Sequence, residues 1–190
     1  MKLDGQHTGE YALMTVISAL LYTGFFVLND LLFSGFEHVV GVNWIYLPSG
    51  FRVLLVLAMN WSGSLGIMLG GCYIDLFVHH ETLGPVMLGN GIVSGFAPLV
   101  IKTWMQGRGW FTAQLNNLNV FHLLHFVLLY AACNSIGHQS LWWLFGRPGA
   151  DFWVDIWPMF VGDALGAILI LYGLRALLPL LGRWLPDLRA

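Results

Sequence analysis

Apolar runs of about twenty residues follow one another along the 190-residue chain, at about 10–33, 45–61, 62–79, 84–104, 119–143 and 153–180, with short polar links between them. At 1.5 Å per residue, a helix of that length crosses the roughly 30 Å hydrocarbon core of a bilayer. Inside hydrocarbon the backbone must satisfy its own N–H and C=O groups, and for runs of this length that means helices. The expected fold class is therefore all-α, a polytopic membrane helical bundle of about six transmembrane helices. Composition agrees: 57% of the residues are hydrophobic and 9% charged, where soluble domains carry about a quarter charged. Residues 1–190 read as a single integral membrane domain, without length to spare for a catalytic domain.

The N-terminal stretch MKLDGQHTGE holds two acids and one lysine, and no small-x-small pattern follows the first run. The first span is thus expected to stay as an anchor rather than be cleaved. With both termini cytoplasmic, Lys2, Lys102, Arg108, Arg175, Arg183 and Arg189 lie on the inner side, Arg147 lies in an outer loop and Arg52 lies within a span. The positive-inside rule then predicts N-in/C-in. The outer links would be SGFEHVVGVN, HHETLG and FGRPGADFWVD. Trp44, Trp61, Trp104, Trp110, Trp142, Trp143, Trp153 and Trp184 fall near span ends, as an interfacial aromatic belt would place them. A net charge of -2 without a basic cluster argues against nucleic acid as a partner. Cys72 and Cys133 sit in apolar runs and read as buried thiols.

The second span begins irregularly, because WIYLPSG puts Pro48 and Gly50 where a helix should start. Such backbone survives at membrane depth only when covered by protein or lining a wet cavity, so this entry is expected to face the interior. The link NWSGS is short enough to make the second and third spans a tight antiparallel hairpin. Gly66 and Gly70, Gly91 and Gly95, and Gly162 and Gly166 each form G-x-x-x-G, which lets helix backbones approach closely. Packing within one bundle accounts for them, and a homo-oligomer face is the alternative.

Asp30, Arg52, Asp75 and Asp163 stand inside apolar runs, where a lone charge costs several kcal/mol. Each should face the interior, as part of a structural ion pair or of a ligand or proton site. Arg52 lies about seven residues into its span and Asp163 about ten into a span entered from the same side, so their depths differ by roughly 5 Å. Asp163 is the expected partner of Arg52, with Asp75 and Asp30 competing. His122 and His125, three apart, share a helix face, and imidazole is a common metal or haem ligand. His138, about 220° further round, lies off that face. Neither this pair nor the His79, His80 and Glu81 cluster offers a full ligand set, so no resident metal or cofactor is expected. The chain holds no G-x-S-x-G, phosphate loop, H-E-x-x-H or paired CxxC. A non-enzymatic role follows as the expectation.

The string WIYLPSGFRVLLVLAMNWSGSLGIMLGG, then LGNGIVSGFAPLVIKTWM and finally FVGDALGAILILY resembles the membrane-associated sensor domain of the MASE-one type over about residues 40–175. The likeness is strongest at Pro48, Gly50, Gly89, Asn90, Gly162, Asp163, Ala164, Leu165 and Gly166. The usual WPP entry is altered to YLPSG, and Arg52 is atypical. The resemblance implies a bacterial inner-membrane module that senses or scaffolds and ordinarily precedes a cytoplasmic output domain. This sequence holds no output domain, so the expectation is action through a separate membrane partner, a signalling enzyme or larger complex. A small ligand is the other candidate for what it binds. The alternative function is the substrate-binding membrane subunit of a small-solute transporter, since broken entries and buried charges also hold solutes at mid-membrane depth.

Overall fold

The computed structural model describes residues 5–184, and the side chains of residues 8–177. Among the described residues there are six α-helices: α1 Gly5–Phe33, α2 Pro48–Met59, α3 Trp61–Phe77, α4 Pro85–Gly107, α5 Val120–Phe145 and α6 Phe152–Trp184. Four of them (α1, α4, α5 and α6) are long and apolar enough to cross a membrane. The other two are shorter, because residues 44–47 ahead of α2 are not helical and the chain turns sharply between α2 and α3.

Local signals explain the boundaries. Pro48 and Pro85 stand in the first turns of α2 and α4, where a missing N–H costs nothing and φ is already helical. The Asn119 side chain accepts from the backbone N–H of His122 at 2.8 Å and caps α5, which ends on Gly146 in the left-handed region at φ 62°. A single residue, Asn60 at φ 55°, separates α2 from α3. Gly63 lies directly against the Leu55 carbonyl, so the chain doubles back within one turn and forms the expected hairpin.

Between α1 and α2 the chain does something the hydropathy did not indicate. After a 3-10 turn, Ser34–Phe36, a two-stranded antiparallel ribbon pairs β1 Glu37–Val39 with β2 Val42–Asn43. The chain then passes without helix along α6. The Tyr46 N–H donates to the Gly162 carbonyl at 3.1 Å, and the Leu47 N–H donates to Asn29 Oδ1 at 2.8 Å. A Cβ at Gly162 would collide with the Asn43 carbonyl, and one at Gly166 with the Tyr46 carbonyl. These two glycines therefore seat an extended peptide against α6, correcting the expectation that their spacing served helix-to-helix packing. The irregular entry does face protein, as its hydrogen-bonding needs require.

The other glycine pairs bring helices together inside the bundle. Gly66 and Gly70 of α3 admit Ser18 and Tyr22 of α1, and Gly91 and Gly95 of α4 admit Cys72, Met68 and the Ser64 carbonyl of α3. The same pairings set direction: α1 and α3 run parallel, α4 runs antiparallel to α3, and Gly89 against Leu141 with Gly137 against Val93 makes α5 antiparallel to α4. In sequence of contact the helices run α1, α3, α4, α5, α6, while α2 fills the middle and touches α1, α3, α4 and α6. The largest apolar cluster joins Val53, Phe126, Val127, Tyr130, Ala131 and Ala167. Position within this arrangement decides which polar side chains meet.

Candidate functional site: a polar cavity enclosed by the helices

The N-terminal half of α2 carries Ser49, Gly50 and Arg52 into the centre, all three buried. Gly50 is needed because the Ile170 side chain lies where its Cβ would be. That close approach of α2 to α6 sets Arg52 opposite Asp163, with Nη1 3.9 Å from Oδ1. The gap is longer than a hydrogen bond, and tyrosine hydroxyls are the guanidinium's nearer partners. Tyr22 Oη accepts from Nε at 3.2 Å and from Nη2 at 2.6 Å, Tyr130 Oη from Nη1 at 3.3 Å, and Tyr46 Oη from Nη2 at 3.4 Å. The guanidinium carbon also lies 5.2 Å and 5.1 Å from the ring centroids of Tyr22 and Tyr46, within cation–π range. Asp163 is held from its other side, where Asn134 Nδ2 donates to Oδ2 at 2.6 Å and Ser49 Oγ donates to the main-chain carbonyl at 2.5 Å.

A second polar group lies toward the β-ribbon end. Asp75 accepts from Asn90 Nδ2 at 2.8 Å and faces His79 Nδ1 at 3.1 Å. Asn90 Oδ1 accepts from Trp142 Nε1 at 2.8 Å and stands 3.1 Å from His138 Nδ1, whose Nε2 stands 3.2 Å from Ser94 Oγ. Asp75 is thus engaged away from Arg52. At the mouth, Arg147 pairs with Glu81 at 2.9 Å and covers the Trp142 ring at 4.1 Å. Between the two groups runs a cavity of about 60 Å³, lined among others by Tyr46, Arg52, Asp75, Asn90, Asn134, His138, Trp142 and Asp163. Asn134 Oδ1 is buried with no hydrogen-bond partner.

Several sequence expectations are corrected. Asp30 is exposed, three residues from the end of α1, and does not face the interior. Trp142 is buried and donates into the cavity rather than joining an interfacial belt, because its face of α5 is the one turned to α4. Trp184 lies outside the described side chains. Lys102, counted with the inner-side cations, is buried, and its Nζ donates to the Val56 and Leu57 carbonyls and to Asn60 Oδ1 at 3.0–3.4 Å. It adds a donor at the end of α2, where the Val56 carbonyl also accepts the Asn60 N–H at 3.0 Å. Cys72 and Cys133 are half-buried and unbridged.

His122 and His125 lie on a more exposed face against the Trp110 ring, with centroids 5.6 Å and 5.3 Å away. Their Nδ1 atoms contact the Asn117 and Phe121 carbonyls. Among the described residues no group of three or more His, Cys, Asp or Glu could hold a metal ion. Tyr22, Tyr46, Tyr130, Asn134 and His138 were not singled out from the sequence as site residues. One signal was present: Asn134 is an amide inside an apolar run, which the rule applied to the charges also flags.

No protein-family model, curated protein or solved structure matches the chain.

Proposed function

We propose that the protein is a non-enzymatic membrane sensor or scaffold module, which takes a small ligand in its interior cavity and acts through a separately encoded membrane partner. The observation that carries this reading is the cavity itself. Charged and hydrogen-bonding side chains from α1, α2, α3, α4, α5 and α6 converge on about 60 Å³ inside otherwise apolar helices. Polar groups at such depth are costly, and they mark ligand or ion sites in membrane proteins. The resemblance to the MASE-one sensor domain points the same way, since the altered entry and the late GDALG stretch both border this cavity. In this reading the bundle sits in a bacterial inner membrane with six crossings, the extended segment 43–47 completing the crossing that α2 begins, and with both termini cytoplasmic.

The test is purification from mild detergent, with identification of what remains bound. A signalling enzyme or a larger membrane complex is the expected companion. Capture of a transport ATPase would instead favour the substrate-binding subunit of a solute transporter. That second reading is favoured by the broken entry to α2, since transporter sites form where a half-helix begins at mid-membrane depth.

A further inference from the structure

The geometry points to a small zwitterion, an α-amino acid no larger than glycine or alanine, as the ligand class of the central cavity. This rests on the reading of the cavity as a ligand site and names what it would take. Two full charges border the cavity side by side without closing on each other: Arg52 Nη1 and Asp163 Oδ1 are 3.9 Å apart, and both residues are buried. A buried ion pair recovers its desolvation cost only when geometry and hydrogen bonds are good, and here the direct bond is missing.

Hydrogen-bond accounting shows what is left over on each side. Tyr22 Oη already accepts twice from Arg52, so its own proton goes to Tyr46 Oη, 3.2 Å away. The Tyr46 hydroxyl proton then has no acceptor among the described residues, and one Nη1 proton of Arg52 is likewise uncommitted beyond the Tyr130 bond. These two donors suit a carboxylate. On the facing side, Asn134 gives one of its two amide protons to Asp163 Oδ2, its buried Oδ1 has no hydrogen-bond partner, and Asp163 Oδ1 stands 3.9 Å from Arg52 Nη1. Those two acceptors suit an ammonium.

A lone anion would meet Asp163 and a lone cation would meet Arg52, each a like charge at short range in a low-dielectric interior. A zwitterion meets both favourably. In an α-amino acid the nitrogen and the carboxylate oxygens are held about 3 Å apart through three covalent bonds, comparable to the 3.9 Å between Arg52 Nη1 and Asp163 Oδ1. Size sets the limit, since 60 Å³ at roughly 10–15 Å³ per water-sized group admits about four to six such groups. Glycine has five non-hydrogen atoms and alanine six.

The experiment is calorimetric titration of the detergent-solubilised full chain at neutral pH with glycine, alanine, leucine, acetate and methylammonium. Glycine and alanine are expected to bind and to raise the melting temperature, with leucine, acetate and methylammonium at least tenfold weaker. Asp163→Asn is expected to weaken glycine at least tenfold. Acetate or methylammonium binding as well as glycine, or no binding by any of the five, would overturn the zwitterion. The wild-type series decides this even where Asp163→Asn does not fold. The proposed function fails on a different readout, the identity of the co-purified companion, so the two failures are distinguishable.

Discussion

Arg52 shows how one residue can organise the interior of this bundle. Its guanidinium has tyrosine hydroxyls as near neighbours and Asp163 just beyond. Removing it would leave a carboxylate and three hydroxyls facing one another in a water-poor space. Arg52→Ala is therefore expected to cost about 3–5 kcal/mol in thermal or denaturant unfolding. Because the ion pair is not in direct contact, the cycle Arg52→Ala, Asp163→Ala and the double mutant should give a coupling on the order of 1 kcal/mol, clearly non-zero. Strict additivity would show that the two charges do not sense each other. Lysine is not expected to substitute, since it lacks the planar fork that reaches several hydroxyls at once. At Lys102 the expectation is different in kind. Lys102→Met keeps the apolar stem but removes the donor to the Leu57 carbonyl and Asn60 Oδ1, while the Val56 carbonyl keeps the Asn60 N–H, at about 1–3 kcal/mol. Lys102→Arg, which can still donate there, should recover part of that loss.

At the scale of elements, the contact between α6 and the extended segment 43–47 is the least replaceable. A methyl group at Gly162 or Gly166 meets a main-chain carbonyl, and backbone cannot rotate away as a flexible side chain can. Gly162→Ala and Gly166→Ala are expected to lower folded yield and to destabilise by at least about 1–3 kcal/mol, the usual range for overpacking. Gly24→Ala and Gly173→Ala provide the control, because nothing lies within 4 Å of either position and alanine is the better helix former. Equal behaviour of the two pairs in a melting assay would show that the extended entry does not lie on α6. The G-x-x-x-G spacing announced a close approach from the sequence. What approaches was not legible, since a helix and an extended strand need the same missing Cβ.

For the whole molecule, alternating helix directions imply that α6 ends near the face from which α1 starts. Fusion reporters at the two termini are expected to report the same, cytoplasmic side, and a reporter within residues 79–84 the opposite one. Opposite sides for the two termini would mean an odd number of crossings, with α2 as the element misread. The cation bias behind the cytoplasmic assignment is weaker than a loop count suggests, because Lys102 is committed to α2 and is not a free loop charge. The remaining inner-side cations carry the same sign of bias.

Helical class, approximate helix positions, the irregularity at Pro48 and the presence of costly interior charges were all determined by the sequence. Each follows from hydropathy, from proline chemistry or from the price of a charge in hydrocarbon, and these act over one turn or one span. The tertiary structure alone decided which polar groups meet. Asp30 and Asp75 carry the same charge as Asp163 and also interrupt apolar runs, yet Asp30 is exposed and Asp75 is taken by Asn90 and His79. The choice depends on α2 lying in the middle of the bundle, which Gly50, Gly162 and Gly166 permit through contacts more than a hundred residues apart along the chain. A hydropathy pattern carries no record of such contacts, because it describes each span against lipid and not against its neighbours.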